Sequence, residues 1–202
     1  VDVAAMSANL DALAAVRGPE PLLMDLATQP QKVHQALEQV AVAHEQVMAA
    51  LREDLGVAER GSVTRHGLYS PGLIDVPQCD FSCMISPEMF DEFVVPYLQR
   101  EVDQLDAAEY HLDGPDALRH LESICGVDGI DVIQWQPGAG NPQKQNWTPL
   151  RKRIDALNTG QFLGGTPEAV RRQWEEFNSR RLVFYANVES PAEFHEMLDS
   201  FA

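Results

Sequence analysis

Between residues 109 and 201 the sequence switches repeatedly from a short apolar run to a longer amphipathic stretch. Extended runs at 109–112, 129–135, 161–163 and 182–186 are each followed by a helical pattern, at 115–124, 148–157, 167–177 and 191–201. Strands alternating with helices over short loops predict βαβ units and a parallel sheet, because parallel neighbours need a crossover of a dozen or more residues. The runs show little apolar–polar alternation, as expected of strands covered on both faces.

The first part of the chain has a different character. Helical patterns cover 9–16 and 31–55, with a brief apolar run at 21–26 between them; the longer pattern has Val33, Leu37, Val40, Val47, Ala50 and Leu51 near helical spacing and Gly56 as its stop. His34 and His44 are expected on the solvent side of that helix. Extended pieces at 63–68 and 78–83 follow, joined by a turn at Ser70-Pro71-Gly72. Ser86-Pro87-Glu88 has the form of a helix start, with a serine cap, proline at the first position and an early acid. That helix is predicted to reach residue 105 with a kink at Pro96. The expectation is one domain over 1–202, helical in 1–60 and built from βα units in 61–202.

Two layouts of such units compete, an open doubly wound sheet and a (β/α)₈ TIM barrel. No G-x-G-x-x-G joins a strand to a helix, and Gly138-Ala139-Gly140 lacks the third glycine. Polar residues fall at the C-terminal ends of successive strands: Asp80 and Ser82, His111 and Asp113, Gln134 and Trp135, Asn187 and Glu189. A barrel converges such positions on one mouth, so the α/β TIM barrel is the expected fold. About five strands are legible where eight close a barrel. The sequence is therefore expected to be an incomplete C-terminal portion lacking the first strands, unless a partner chain supplies them. Its start, Val1-Asp2-Val3-Ala4, has neither an initiator methionine nor the basic region of a signal peptide.

A net charge of -16, from 15 basic and 31 acidic residues, repels phosphate backbones and anionic lipid surfaces. Nucleic-acid and membrane partners are not expected, and no apolar run has the length of a membrane span. Three cysteines, Cys79, Cys83 and Cys125, do not form a disulfide framework and read as reduced thiols of a cytoplasmic protein.

Tyr110-His111-Leu112-Asp113-Gly114 carries the most chemistry. Two apart on a strand, His111 and Asp113 point to the same face, and Gly114-Pro115 turns the chain immediately afterwards, which puts both at the rim. A histidine beside a carboxylate suits proton transfer, metal ligation or anchoring of a polar ligand, although Asp113 would also serve as a helix cap. Asp80 is a further catalytic candidate and Ser82 a binding one. Zinc favours thiolate and imidazole, so Cys79 and Cys83 are weighed with His111 as ligands against the commoner outcome of small buried cysteines. After the next strand, Gln134-Trp135-Gln136-Pro137-Gly138 offers a flat tryptophan wall and glycine backbone open to a ligand. Asn187 can hold a carbonyl or carboxylate, and Glu189 is either a base or a helix cap. His66, His120 and His195 show no partner in the sequence.

Cys79-Asp80-Phe81-Ser82, Ile85-Ser86-Pro87-Glu88-Met89-Phe90 with Pro96-Tyr97-Leu98, the His111 strand and the Ile133-Gln134-Trp135 strand with its glycine-rich loop together resemble the uroporphyrinogen decarboxylase superfamily. The resemblance runs from Pro30 onward and is strongest to a divergent branch related to corrinoid-dependent methyltransferases. It implies a TIM barrel with its site at the C-terminal mouth, a small-molecule substrate or corrinoid protein as partner, and a homodimer as one assembly. It further implies methyltransferase-like one-carbon transfer to or from a corrinoid or thiol, with zinc as cofactor on His111, Asp113 and Cys79. Two alternatives stand beside it: cofactor-free decarboxylation of a tetrapyrrole or other carboxylate, and a non-catalytic corrinoid- or partner-binding barrel. The chain departs from both catalytic patterns. Where zinc-binding relatives have His-x-Cys it has His111-Leu112-Asp113, and where decarboxylases have Asn-Leu-Gly-His-Gly it has Tyr185-Ala186-Asn187-Val188-Glu189.

Overall fold

A computed structural model describes residues 6–138 and 146–201. Three helices lead: α1 (Asn9–Arg17), α2 (Pro19–Thr28) and α3 (Pro30–Asp54). Gly18, at φ 88°, makes the turn between the first two, and prolines occupy the first positions of α2 and α3, where no helical N–H is lost. On α3 the buried residues Val33, Leu37, Ala41, His44 and Met48 recur three or four apart and form one stripe. His44 belongs to that stripe, which corrects the expectation of a surface residue: it is 8% exposed. Burial pulls its pKa down. His34 is half-buried, stacks on Phe93 at 4.6 Å and lies 3.3 Å from Glu92.

A short helix α4 (Val57–Arg60) precedes an antiparallel pair, β1 (Ser62–Val63) with β2 (Tyr69–Ser70). Then come β3 (Ile74–Asp75), a 3-10 turn (Asp80–Met84), α5 (Pro87–Phe93), α6 (Val95–Val102) and β4 (Ala107–Asp113). A second 3-10 turn (Pro115–His120) leads to α7 (Leu121–Cys125), followed by β5 (Ile130–Gln136), α8 (Thr148–Ala156), β6 (Gly160–Gly165), α9 (Pro167–Phe177), β7 (Leu182–Ala186) and α10 (Pro191–Asp199). Ser86 caps α5 by accepting the Met89 N–H, as its position predicts. The predicted kink at Pro96 is a break, with Val94 separating α5 from α6.

Five strands form one parallel sheet in the order β3-β4-β5-β6-β7, curled like half of a barrel. Sequential parallel strands joined by helices are what the alternation of patterns predicted. Two expected extended pieces fail. Residues 63–68 are not one strand: Ser62–Val63 pairs with Tyr69–Ser70, and residues 64–68 turn between them, closed by Thr64 N–H to the Leu68 carbonyl at 2.8 Å. Residues 78–83 are not an extended piece; Gln78 makes a single parallel bridge to His111, and the chain then coils into the 3-10 turn. The physical reason is a side chain distant in sequence: Asp11 of α1 accepts the N–H groups of Asp80 and Phe81 at 2.9 and 2.8 Å, which satisfies them without a strand ladder.

On β4, Ala108, Tyr110 and Leu112 are 1% exposed and pack in the main apolar cluster with Leu98, Leu121 and Ile133. The alternate residues Glu109, His111 and Asp113 occupy the opposite, concave face. Strand β6 lies close between its neighbours because Gly160 has no side chain. A Cβ there would come 2.5 Å from the Asp131 carbonyl oxygen and 2.9 Å from that of Arg181. Both are backbone atoms, so Gly160→Ala is expected to cost about 1–3 kcal/mol, read as a lower urea midpoint with an unchanged slope.

Candidate functional site

Strand β4 sets the site. Its period of two carries His111 and Asp113 to the same rim, as the sequence predicts, and Gly114, at φ 81°, turns the chain away at once. Asp80 reaches the same place from the first 3-10 turn, whose start is tied to α1 through Asp11 and to β4 through the Gln78–His111 bridge. One ligand atom each of Asp80, His111 and Asp113 lies within 4.8 Å of the others. His111 and Asp113 are half-buried and Asp80 is exposed. Two carboxylates and an imidazole at this separation form a donor set that a divalent cation fits.

The orientation of His111 is controlled from β5. In the parallel register His111 stands beside Gln134, and its Nδ1 is hydrogen-bonded to the Gln134 Oε1. An amide oxygen only accepts, so Nδ1 carries the proton and Nε2 keeps a lone pair for a proton or a metal.

A second histidine lies beside it. His66, from the loop between β1 and β2, meets Glu109 through Nδ1 and Oε1 at 2.8 Å. The Thr64 hydroxyl donates to Glu109 Oε2 at 2.9 Å. Glu109 is 0% exposed, so both of its oxygens are served by side chains rather than by water. The rings of His66 and His111 are 5.9 Å apart at 33°. Two imidazoles, each oriented by its own acceptor, together with two carboxylates can hold and pass protons across this face. Sequence reasoning missed His66 and Glu109. Glu109 shares the two-residue spacing with His111 and Asp113 and was visible on that ground, whereas the His66 partner is 43 residues away.

The remaining candidates separate into groups. Gln134, Trp135 and Asn187 line a cavity of about 270 Å³ at the C-terminal ends of β5, β6 and β7, with Gln136, Arg151, Phe162 and Tyr185. Gly138 follows at φ 80°, and residues 139–140 of the glycine-rich loop lie outside the described residues. Trp135 packs edge-on against Trp147 with ring centroids 5.0 Å apart. Glu189 is exposed, and its N–H donates to Glu193 at the start of α10. Ser82 is 1% exposed, inside the packing between the two 3-10 turns. Its carbonyl faces His120 Nε2 at 2.9 Å, and His120 stacks on Phe90 at 4.4 Å. His120 is therefore a fully buried packing residue with partners, contrary to the sequence expectation.

Cys79 is buried in the apolar cluster, and burial pushes its thiol well above the ordinary range. The group gathered at the mouth thus includes Asp80 where the resemblance implied Cys79. Cys79, Cys83 and Cys125 are all free thiols. No helix among the described residues is long and apolar enough to cross a membrane. Comparison with protein-family models, with curated proteins and with solved structures finds no match to this chain.

Proposed function

We propose that this chain is the C-terminal portion of a TIM-barrel enzyme of the uroporphyrinogen decarboxylase superfamily. In this reading it performs methyltransferase-like one-carbon transfer at a metal site made of Asp80, His111 and Asp113. The observation that carries the reading is the convergence of those three side chains, from a 3-10 turn and a strand end, to within 4.8 Å. Ligand sites of α/β sheets lie at the C-terminal ends of the strands, where these residues stand.

The donor set fits zinc, which takes imidazole and carboxylate ligands in catalytic sites that keep a position open. Bound there, zinc would supply Lewis acidity toward a thiol or oxygen donor. The chain's own residues would do the rest. Gln134 holds the His111 tautomer. Asp11 fixes the turn that presents Asp80. His66, oriented by Glu109, would add a second imidazole beside the site, its ring centroid 5.9 Å from that of His111.

Zinc titration of the chain by calorimetry tests the proposal. The wild type is expected to bind one equivalent, and His111→Ala and Asp113→Asn are each expected to weaken binding by about 100-fold or more, since each removes a ligand from a small set. Wild-type binding that both variants retain unchanged would place the metal elsewhere and sink the reading.

A further inference from the structure

We infer that the cavity at the C-terminal ends of β5, β6 and β7 is a carboxylate-binding subsite in which Arg151 is the cation and Phe162 and Tyr185 form a flat wall. This deepens the proposed function and rests on it only in taking this mouth as the substrate side of the sheet.

Arg151 projects from the first turn of α8 and lines the cavity half-buried. Its guanidinium has no hydrogen bond or ion pair among the described residues. Its neighbour Arg153 closes on Glu122, and Arg17, Arg52, Arg100 and Arg181 also have acidic partners. Burial lowers the Arg151 pKa, and the acid that acts against this is Glu176, which is already engaged by Lys152 at 3.2 Å. A partly desolvated guanidinium that pairs with no acid among the described residues is unfavourable unless a ligand supplies the partner. Arg151 is followed by Lys152 and Arg153, but Lys152 pairs with Glu176 and Arg153 with Glu122, whereas Arg151 lines the cavity.

The cavity walls specify more than an anion. Phe162 and Tyr185 stack at 6.3 Å and 22°. Tyr185 can lie against β6 because residue 164 is glycine; a Cβ there would come 2.5 Å from the Tyr185 ring. Gln136 and Asn187 add amide groups around the opening, and Gln134 joins the cavity to His111. A guanidinium fork matches a carboxylate with two parallel N–H donors. A single cation with amide neighbours suits a monoanion better than a phosphate dianion. A volume of about 270 Å³ holds a small planar acid or one acidic arm of a larger ligand.

The probe is benzoate, titrated by calorimetry into the whole chain after metal is stripped and the chelator removed by dialysis, so the outcome is independent of the zinc site. Saturable binding is expected, with benzamide and inorganic phosphate each binding at least about tenfold more weakly. Arg151→Gln is expected to weaken benzoate binding by roughly tenfold or more, the usual worth of a charge-assisted pair. Asn187→Asp, on an exposed side chain whose replacement leaves packing intact, is expected to weaken it through repulsion. Arg153→Gln is the control and should bind as the wild type does. The inference is overturned if benzoate does not bind, if phosphate or benzamide binds equally well, or if folded Arg151→Gln and Asn187→Asp both keep wild-type affinity. Loss of zinc binding with benzoate binding intact would remove the metal site alone.

Discussion

Glu101→Gln is expected to stabilise the chain at pH 9 and to flatten a fall in stability that the wild type shows between pH 5 and pH 9. Glu101 sits on α6, 6% exposed, where its Oε1 accepts the Asn9 amide N–H at 2.8 Å. Burial is the main cause that pushes its pKa from 4.5 to about 8, helped by Asp11 and Asp75 and opposed by the Asn9 bond. In the unfolded chain the group ionises near 4.5. Between those values the folded state holds a proton that the unfolded state has released, so raising the pH favours unfolding. The stability contributed by the neutral group is complete below pH 4.5 and is lost as the pH rises through about 8. A displacement of this size is worth on the order of 5 kcal/mol for a fully buried group. Asp75, 7% exposed and raised to about 6 mainly by burial, acts in the same direction at lower pH. Glutamine keeps the acceptor for Asn9 and cannot ionise. Urea unfolding of both proteins at pH 5, 7 and 9 measures the effect. Parallel curves for wild type and variant would show that Glu101 is not the titrating group.

Leu112→Ala is expected to cost about 3–5 kcal/mol, a large part of the 5–15 kcal/mol that holds a typical domain together. Leu112 is 1% exposed on the helix-facing side of β4 and packs in the main apolar cluster. Its truncation removes transfer energy and leaves a cavity that a sheet packed on helices cannot fully close. The same side chain lies between His111 and Asp113 in the strand, so it also sets how firmly their pair of directions is held. Guanidinium unfolding gives the stability loss, and zinc titration of the folded variant should show weaker binding than the wild type. Leu198→Ala, at a residue 46% exposed on α10, should change unfolding by less than about 1 kcal/mol. Equal costs at the two positions would contradict the packing described for β4.

Local patterns carried much of the architecture. The strand and helix at 182–186 and 167–177 coincide with β7 and α9, because apolar spacing, a Thr166 cap and Pro167 agree there. The direction of His111 and Asp113 was likewise legible, since the two-residue period of a strand leaves no other arrangement. Residues 78–83 were misread for the complementary reason. Their apolar content resembles a strand, but Asp11, some 70 positions earlier, captures the N–H groups that a ladder would have used.

The composition of the site depended on this kind of distant contact. His66 and Arg151 carry no local signal; one becomes a site residue through Glu109 and the other by facing a cavity that needs three strands to exist. Burial of Glu101 and His44 also depends on helices packed from elsewhere, and that burial shifts their protonation. The amino-acid sequence by itself determined the parallel βα order and the facing of His111 with Asp113, because both follow from periodicities of a few residues. Only the tertiary structure decided that Asp80 joins them in place of Cys79. Which of two adjacent side chains turns outward depends on what packs behind the turn, and α1 and the apolar cluster settle that by burying the thiol and leaving the carboxylate at the mouth.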